Sequence, residues 1–361
     1  MTSGRCGAAI AWWALVALAA ALPAREWTVP ATRQHVEAEL VDVGDGRVLL
    51  KPTDGPVFGI RLEDLAEDDR RYLRAELDRR RAELEGWLSD KPSAVRYGPG
   101  RELAQLESKA IKESSGLACS RRRPGVFWTH NDSGDEARLY ALDLKGRDLG
   151  SCLIEGVTAF DFEDIASVQL DGRCLLLVGD IGNNVQASAV QVIHVVEEPA
   201  FDPARGPLAV KVPVVQTIHL AYEDDQHDAE ALGVDPTTRT ILLIAKERKP
   251  KCHVYAFGWP ADDAKKVTIA RKIATLHLPS VTAMDLSPDG LRAVVCTYGH
   301  AYEFSRAKDE DWSAGFSRKP CEIKLPPRRQ GEAICYGPDG KTLYLTSEKR
   351  PTPLIEVPVK E

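Results

Sequence analysis

Carboxylates recur in one arrangement along this chain. The stretch AFDFEDIASV (residues 159–168) puts Asp161, Glu163 and Asp164 at the mouth of an apolar, strand-like run. HDAEALGVD (227–235) and QGEAICYGPDG (330–340) repeat the pattern of a carboxylate, a small residue and then apolar residues. Aligning the two PDG turns at 288–290 and 338–340 sets Thr282 opposite Glu332, and the same small-and-apolar pattern brings in SGLACS, EDIASV and EALGVD. The equivalent positions are Ser115, Glu163, Glu230, Thr282 and Glu332, at separations of 48, 67, 52 and 50 residues. On neighbouring strands they would make one ring of hydroxyl and carboxylate groups. Carboxylates about 5 Å apart repel by roughly 3 kcal/mol per pair at an effective dielectric near 20. Either a cation or protons must therefore sit among them, and an all-oxygen set favours Ca²⁺, with Mg²⁺ second.

The elements that would hold such a ring follow from its period. About fifty residues per repeat suits a four-stranded propeller blade, whose innermost strand lines a central channel. Five blades fit the count, with a sixth, degenerate blade as the alternative. The last repeat has three strands, and residues 102–111 could supply its fourth. The second strand of each blade runs back towards the start of the first. Counting sixteen or seventeen residues on from each ring position therefore reaches Asn131 and Asp132, Asp180, Lys246 and Glu247, Tyr298, and Glu348. With Asp161, Asp164 and Arg329 these would form a polar funnel rim, and His130, His227 and His300 lie near it in sequence. Asp, Asn and Gly also cap strand ends and turns, which is the competing reading of the same residues.

Ahead of the repeats stands a different pattern. The N-terminal 24 residues hold one basic residue, Arg5, an apolar run over 8–22 and small residues before Arg25, the layout of a secretory signal peptide over 1–24. Export to the periplasm or outside the cell is expected, with anchoring by an uncleaved N-terminal segment as the alternative. No other segment could span a membrane in the mature chain. Residues 25–66 alternate strand-like runs with GDG and TDG turns, a small antiparallel barrel. Residues 67–89 read as a helix with Leu73, Leu77, Leu84 and Leu88 on one face. Residues 90–102 hold prolines and glycines and read as a linker, leaving 103–361 for the propeller. Formal net charge is -7 with dispersed Lys and Arg, which disfavours nucleic acid as partner. Removing the leader takes one of eight cysteines with it, and none of the rest has metal-ligand spacing.

Two resemblances add to this reading. REWT, VEAELVDVGDGRVLLKPTDG and IRLEDLAEDDRRYL resemble the Sla-one homology domain of the first type, an SH3-like module. That implies a protein or peptide partner for the N-terminal module, or self-association. NDSG at 131–134, the acidic run Asp161, Glu163 and Asp164, and GDIGNN at 179–184 resemble the motifs of exported propeller proteins that are distantly akin to calcium-dependent phytases and phytase-like esterases. Here Phe162 replaces a tryptophan and Asn183 an aspartate of that pattern. The ring also resembles that of calcium-activated nucleotidases.

Two functions compete. In the first, the chain is an exported binding or scaffold protein whose calcium-braced propeller presents a ligand surface. In the second, it is a calcium-dependent phosphoester or ester hydrolase, in which bound metal polarises the substrate. The hydrolase needs cationic groups for phosphate, and Lys246, Arg248 and Arg329 are the candidates. No G-x-S-x-G nucleophile signature occurs.

Overall fold

A computed structural model of the chain describes residues 24–29, 34–44, 47–52, 58–89, 93–132, 134–183, 188–246, 251–261, 266–278, 280–326, 328 and 330–360. The expected leader, residues 1–24, lies outside them except for its last residue. Among the described residues no helix is long and apolar enough to cross a membrane.

Strands Arg25–Val29, Gln34–Gly44, Arg47–Pro52 and Phe58–Arg61 pair antiparallel in chain order. Their alternation puts Trp27, Ala38, Leu40, Val48 and Leu50 on one buried face, closed by Leu65 and Leu73. The helix Glu67–Trp87 starts without a side-chain cap, but three acidic residues occupy its first turn, where the helix dipole favours them. Asp69 there accepts from Arg25 at 2.6 Å and from the Thr28 amide at 2.7 Å, which ties the helix start to the sheet. Around the far end, Leu84, Trp87 and Leu88 pack against an apolar cluster of the following domain that includes Leu276, Leu278 and Phe304. One helix thus covers the small core and docks on the large one. Beyond it, Tyr97 donates to Glu303 at 2.7 Å, so this part of the expected linker is bound to the domain that follows.

From residue 101 onward the chain is almost entirely strands. Each repeat begins with a buried strand: Ser114–Cys119, Phe162–Leu170, Ala229–Asp235, Val281–Leu286 and Ala333–Tyr336. Each of these pairs antiparallel with the next strand, and a meander continues outward. Strand Arg101–Gln105 completes the last sheet by pairing with Pro353–Val357, so the first and last strands of this domain close one sheet together. In the first sheet Leu208–Val212 adds an outermost strand, parallel to Asp148–Ile154. The second and third sheets join at their outer edges through Val214–Tyr222 and Val267–Leu276, also parallel.

Apolar clusters fill the gaps between neighbouring sheets: first with second, second with third, third with fourth, fourth with last, and last with first. That cyclic order makes the arrangement propeller-like, with the first strands around a common axis. The core is mainly β-branched, leucine and alanine side chains between faces, as sheet-on-sheet packing requires.

No backbone ladder joins the first strands to one another among the described residues, so side chains bridge them. Asp164 is fully buried and accepts from the amides of Ile165 at 2.8 Å, Leu232 at 2.9 Å and Met284 at 3.1 Å, linking three sheets. Asp285 accepts from the amide of Tyr336 at 2.8 Å, linking the fourth to the last. Ser115, Ser167 and Thr282 donate to the carbonyls of Glu163, Cys119 and Gly331 at 2.8, 2.7 and 2.9 Å. No disulfide joins the seven described cysteines, and all but Cys321 are buried.

Candidate cation site at the channel mouth

Four of the five ring positions are set by one backbone device. Pairing between first and second strands shifts register between Ser114 and Gly116, Phe162 and Asp164, Ala229 and Ala231, and Val281 and Ala283. The residue skipped each time is Ser115, Glu163, Glu230 or Thr282. A β-bulge leaves its extra residue unpaired and turns that side chain out of the alternation of the strand. Glu332 stands one residue before its strand, Ala333–Tyr336. All five side chains are buried, none more than 3% exposed.

Their side chains do different things. The Ser115 and Thr282 hydroxyls are engaged with backbone carbonyls of the neighbouring sheets. Glu230 accepts from Lys246 Nζ at 2.7 Å, and Lys246 also lies over the Tyr298 ring, 5.4 Å from its centroid. Glu332 accepts from Gln330 at 2.9 Å through one oxygen, while its Oε2 has no partner. Carboxylate oxygens within 4.8 Å of one another form two groups that share Glu163: Asp132, Asp161 and Glu163, and Glu163, Asp228 and Glu230. Asp132, Asp161 and Asp228 are half-buried, so this cluster opens to solvent at the channel mouth.

Gly182 makes the close approach possible. A Cβ there would come within 2.3 Å of both Asp161 Oδ2 and Glu163 Oε1, and the Asn183 amide next to it donates to Asp228 at 2.6 Å. Asp180 accepts from the amides of Asp161 at 2.7 Å and Phe160 at 3.3 Å, which fixes the loop that delivers Asp161.

Burial and mutual repulsion hold Asp161, Glu163, Glu332 and Glu348 towards their neutral forms. Burial, then Asp132 and Asp228, push Asp161 up to about 7. Burial and Glu230 raise Glu163 well above the usual carboxylate range. Glu332 is pushed up to about 7 by burial, with Lys246 opposing. Glu348 reaches about 9, through burial and then Glu332 and Asp132. Burial works against the charge of Lys246, but Glu230 and the other acids hold it well above its ordinary value.

Other expected rim residues lie elsewhere. Asp164 is a bridge between strands deep on the axis, because three amides claim its oxygens. Asn131 folds back on its own turn, accepting from the Lys112 and Glu113 amides and donating to Ala110 and Asp135. His130 is buried in the core with Nδ1 2.9 Å from the Asn131 carbonyl and its ring against Phe162. His227 is held by Asp224 at 2.9 Å and the Tyr255 hydroxyl at 2.7 Å, and His300 by Glu322 at 3.0 Å. Glu247, Arg248 and Arg329, like Ser133 and Asn184, lie outside the described residues.

Asp228 and Arg328 are absent from the expected set. Asp228 was legible: Asp228-Ala229-Glu230 repeats the spacing of Asp161-Phe162-Glu163. Arg328 buries its guanidinium against Gly331 and donates to the Tyr298 carbonyl at 3.2 Å, a packing that nothing in the sequence marks.

The donor set fits a hard divalent cation: carboxylate oxygens only, no histidine or cysteine, and a glycine where a side chain would fill the approach. No family model and no curated protein matches this chain. Among solved structures it is similar to a gluconolactonase from Xanthomonas campestris, described as important in glucose secondary metabolic pathways. The two are 14% identical over 96% of this chain and 89% of that chain, with a TM-score of 0.40. So loose a likeness carries no argument, and the fold rests on the sheets and cores described above.

Proposed function

We propose that the chain is an exported binding protein in which a five-bladed propeller, with calcium bound at its channel mouth, presents a ligand surface. The small N-terminal domain is read as an SH3-like interaction module of the Sla-one homology type, for a protein or peptide partner or for self-association. One contrast carries the cation reading. Buried carboxylates elsewhere are met by donors: Asp235 by Arg306 and Trp312 at 2.8 and 2.9 Å, Glu303 by Tyr97 and Tyr336 at 2.7 and 2.8 Å. At the mouth five acids crowd together, with Lys246 the cation that reaches them among the described residues. Acidic charge crowded this closely around the buried Glu163 is expensive to maintain, and functional sites are where proteins tolerate it.

A hydrolase acting on phosphoesters or esters is the second reading, favoured by protonated carboxyls beside the mouth. Glu332 at about 7 and Glu348 at about 9 can hold a proton near neutrality and deliver it to a leaving group. Bound calcium would polarise the substrate oxygen.

Turnover of p-nitrophenyl phosphate and p-nitrophenyl acetate, followed with calcium and with chelator, separates the two. Calcium that raises the melting temperature without supporting turnover fits the binding protein. Turnover that requires calcium and disappears in Asp161→Asn would make the chain a hydrolase.

A further inference from the structure

Lys246 follows the second strand of the third sheet, Thr240–Ala245, and its own amide donates to the Asp228 carbonyl at 2.7 Å. That bond anchors the residue at the mouth while its side chain runs inward, where it is only 19% exposed. The ammonium pairs with Glu230 of the same sheet and leans over Tyr298, which follows the second strand of the fourth. Glu332, buried before the first strand of the last sheet with Oε2 unpartnered, and Glu163 of the second sheet both add their negative charge to the surroundings of the ammonium. The ammonium is therefore paired within its own sheet and held in the field of carboxylates from two others.

We propose that Lys246 is the resident cation of the channel axis and confines any divalent ion to the off-axis group of Asp132, Asp161 and Glu163. Two consequences of the geometry support it. The ion pair removes Glu230 from the second acidic group, leaving Glu163 and Asp228 there. A divalent ion on the axis would also face the ammonium at contact distance, and like charges a few ångströms apart in a poorly screened site repel strongly. Lys246 is thus a specificity-determining residue: it sets how many cations the mouth holds and where. The off-axis ion rests on the reading proposed above, whereas the axial role of Lys246 does not.

The test is calcium stoichiometry by equilibrium dialysis on the full mature chain, with thermal unfolding, for wild type, Lys246→Met and Lys246→Arg. Wild type and Lys246→Arg are expected to bind one equivalent. Lys246→Met is expected to bind two, with a larger calcium-dependent rise in melting temperature than wild type, because a metal then replaces the lost charge. A wild type that binds none beside a Lys246→Met that binds one would support the axial assignment while sinking the off-axis calcium site. Wild-type stoichiometry and a wild-type calcium response in Lys246→Met would overturn the inference. So would a Lys246→Met chain that stays unfolded at saturating calcium.

Discussion

Asp161, Glu163, Glu332 and Glu348 are raised for the same reason: burial first, then the charge of neighbouring groups. An unfolded aspartate or glutamate ionises near pH 4, whereas Asp161 and Glu332 do so at about 7 and Glu348 at about 9 in the fold. The folded state therefore binds more protons than the unfolded state between those limits, so stability falls as pH rises through that window. Calcium competes with those protons. Its stabilising effect is expected to be small at pH 5 and to grow as pH rises through about 7, where Asp161 ionises, measured as the shift in melting temperature on adding calcium. A calcium shift independent of pH would contradict the assignment. At this scale the sequence was informative about residue types and poor about partners. The D-x-E spacing marks Asp161 with Glu163 and Asp228 with Glu230, but that Asp164, one position on, faces three amides instead of the mouth depends on strands far away in sequence.

Strands place these residues through two local features. The bulges turn Glu163 and Glu230 out of their pleat, and the Gly182 turn lets the acids of the second sheet meet. Gly182→Ala would press a methyl group on Asp161 and Glu163; overpacking of this kind costs about 1–3 kcal/mol. It is expected to weaken calcium binding at least tenfold in a titration, while the rest of the fold survives; unchanged affinity would remove Gly182 from the site. Asp164→Asn tests the axial bridge. Asparagine offers one acceptor oxygen in place of two, so at least one buried amide would face an NH₂ group, at about 1–3 kcal/mol. The loss is expected in denaturant unfolding of metal-free protein. The repeat period and the turn pairs were legible because they are local; the bulges were not, because register belongs to two strands at once.

The large domain is a ring of sheets closed by its own first and last strands, with a small β domain held against it by one helix. Alternating apolar runs and a fifty-residue repeat pointed to that architecture from the sequence. The docking of Trp87, 5.9 Å from Phe304, was hidden because the helix divides its apolar positions between two cores. Closure matters for function: each sheet contributes little alone, and only the ring brings Asp132, Asp161, Asp228 and Lys246 of three successive repeats to one mouth. A cation held by Asp132, Asp161 and Glu163 would tie the first sheet to the second, so its removal should be felt in the unfolding of the domain. The most direct measurement is metal content and thermal unfolding of the mature chain with and without EDTA, beside an Asp161→Asn, Glu163→Gln variant. Stoichiometric calcium, and a melting temperature that chelation lowers in the wild type but not in the variant, is the predicted result. A chain that holds no calcium and melts identically in EDTA would contradict the cation site and leave protons alone to neutralise the mouth.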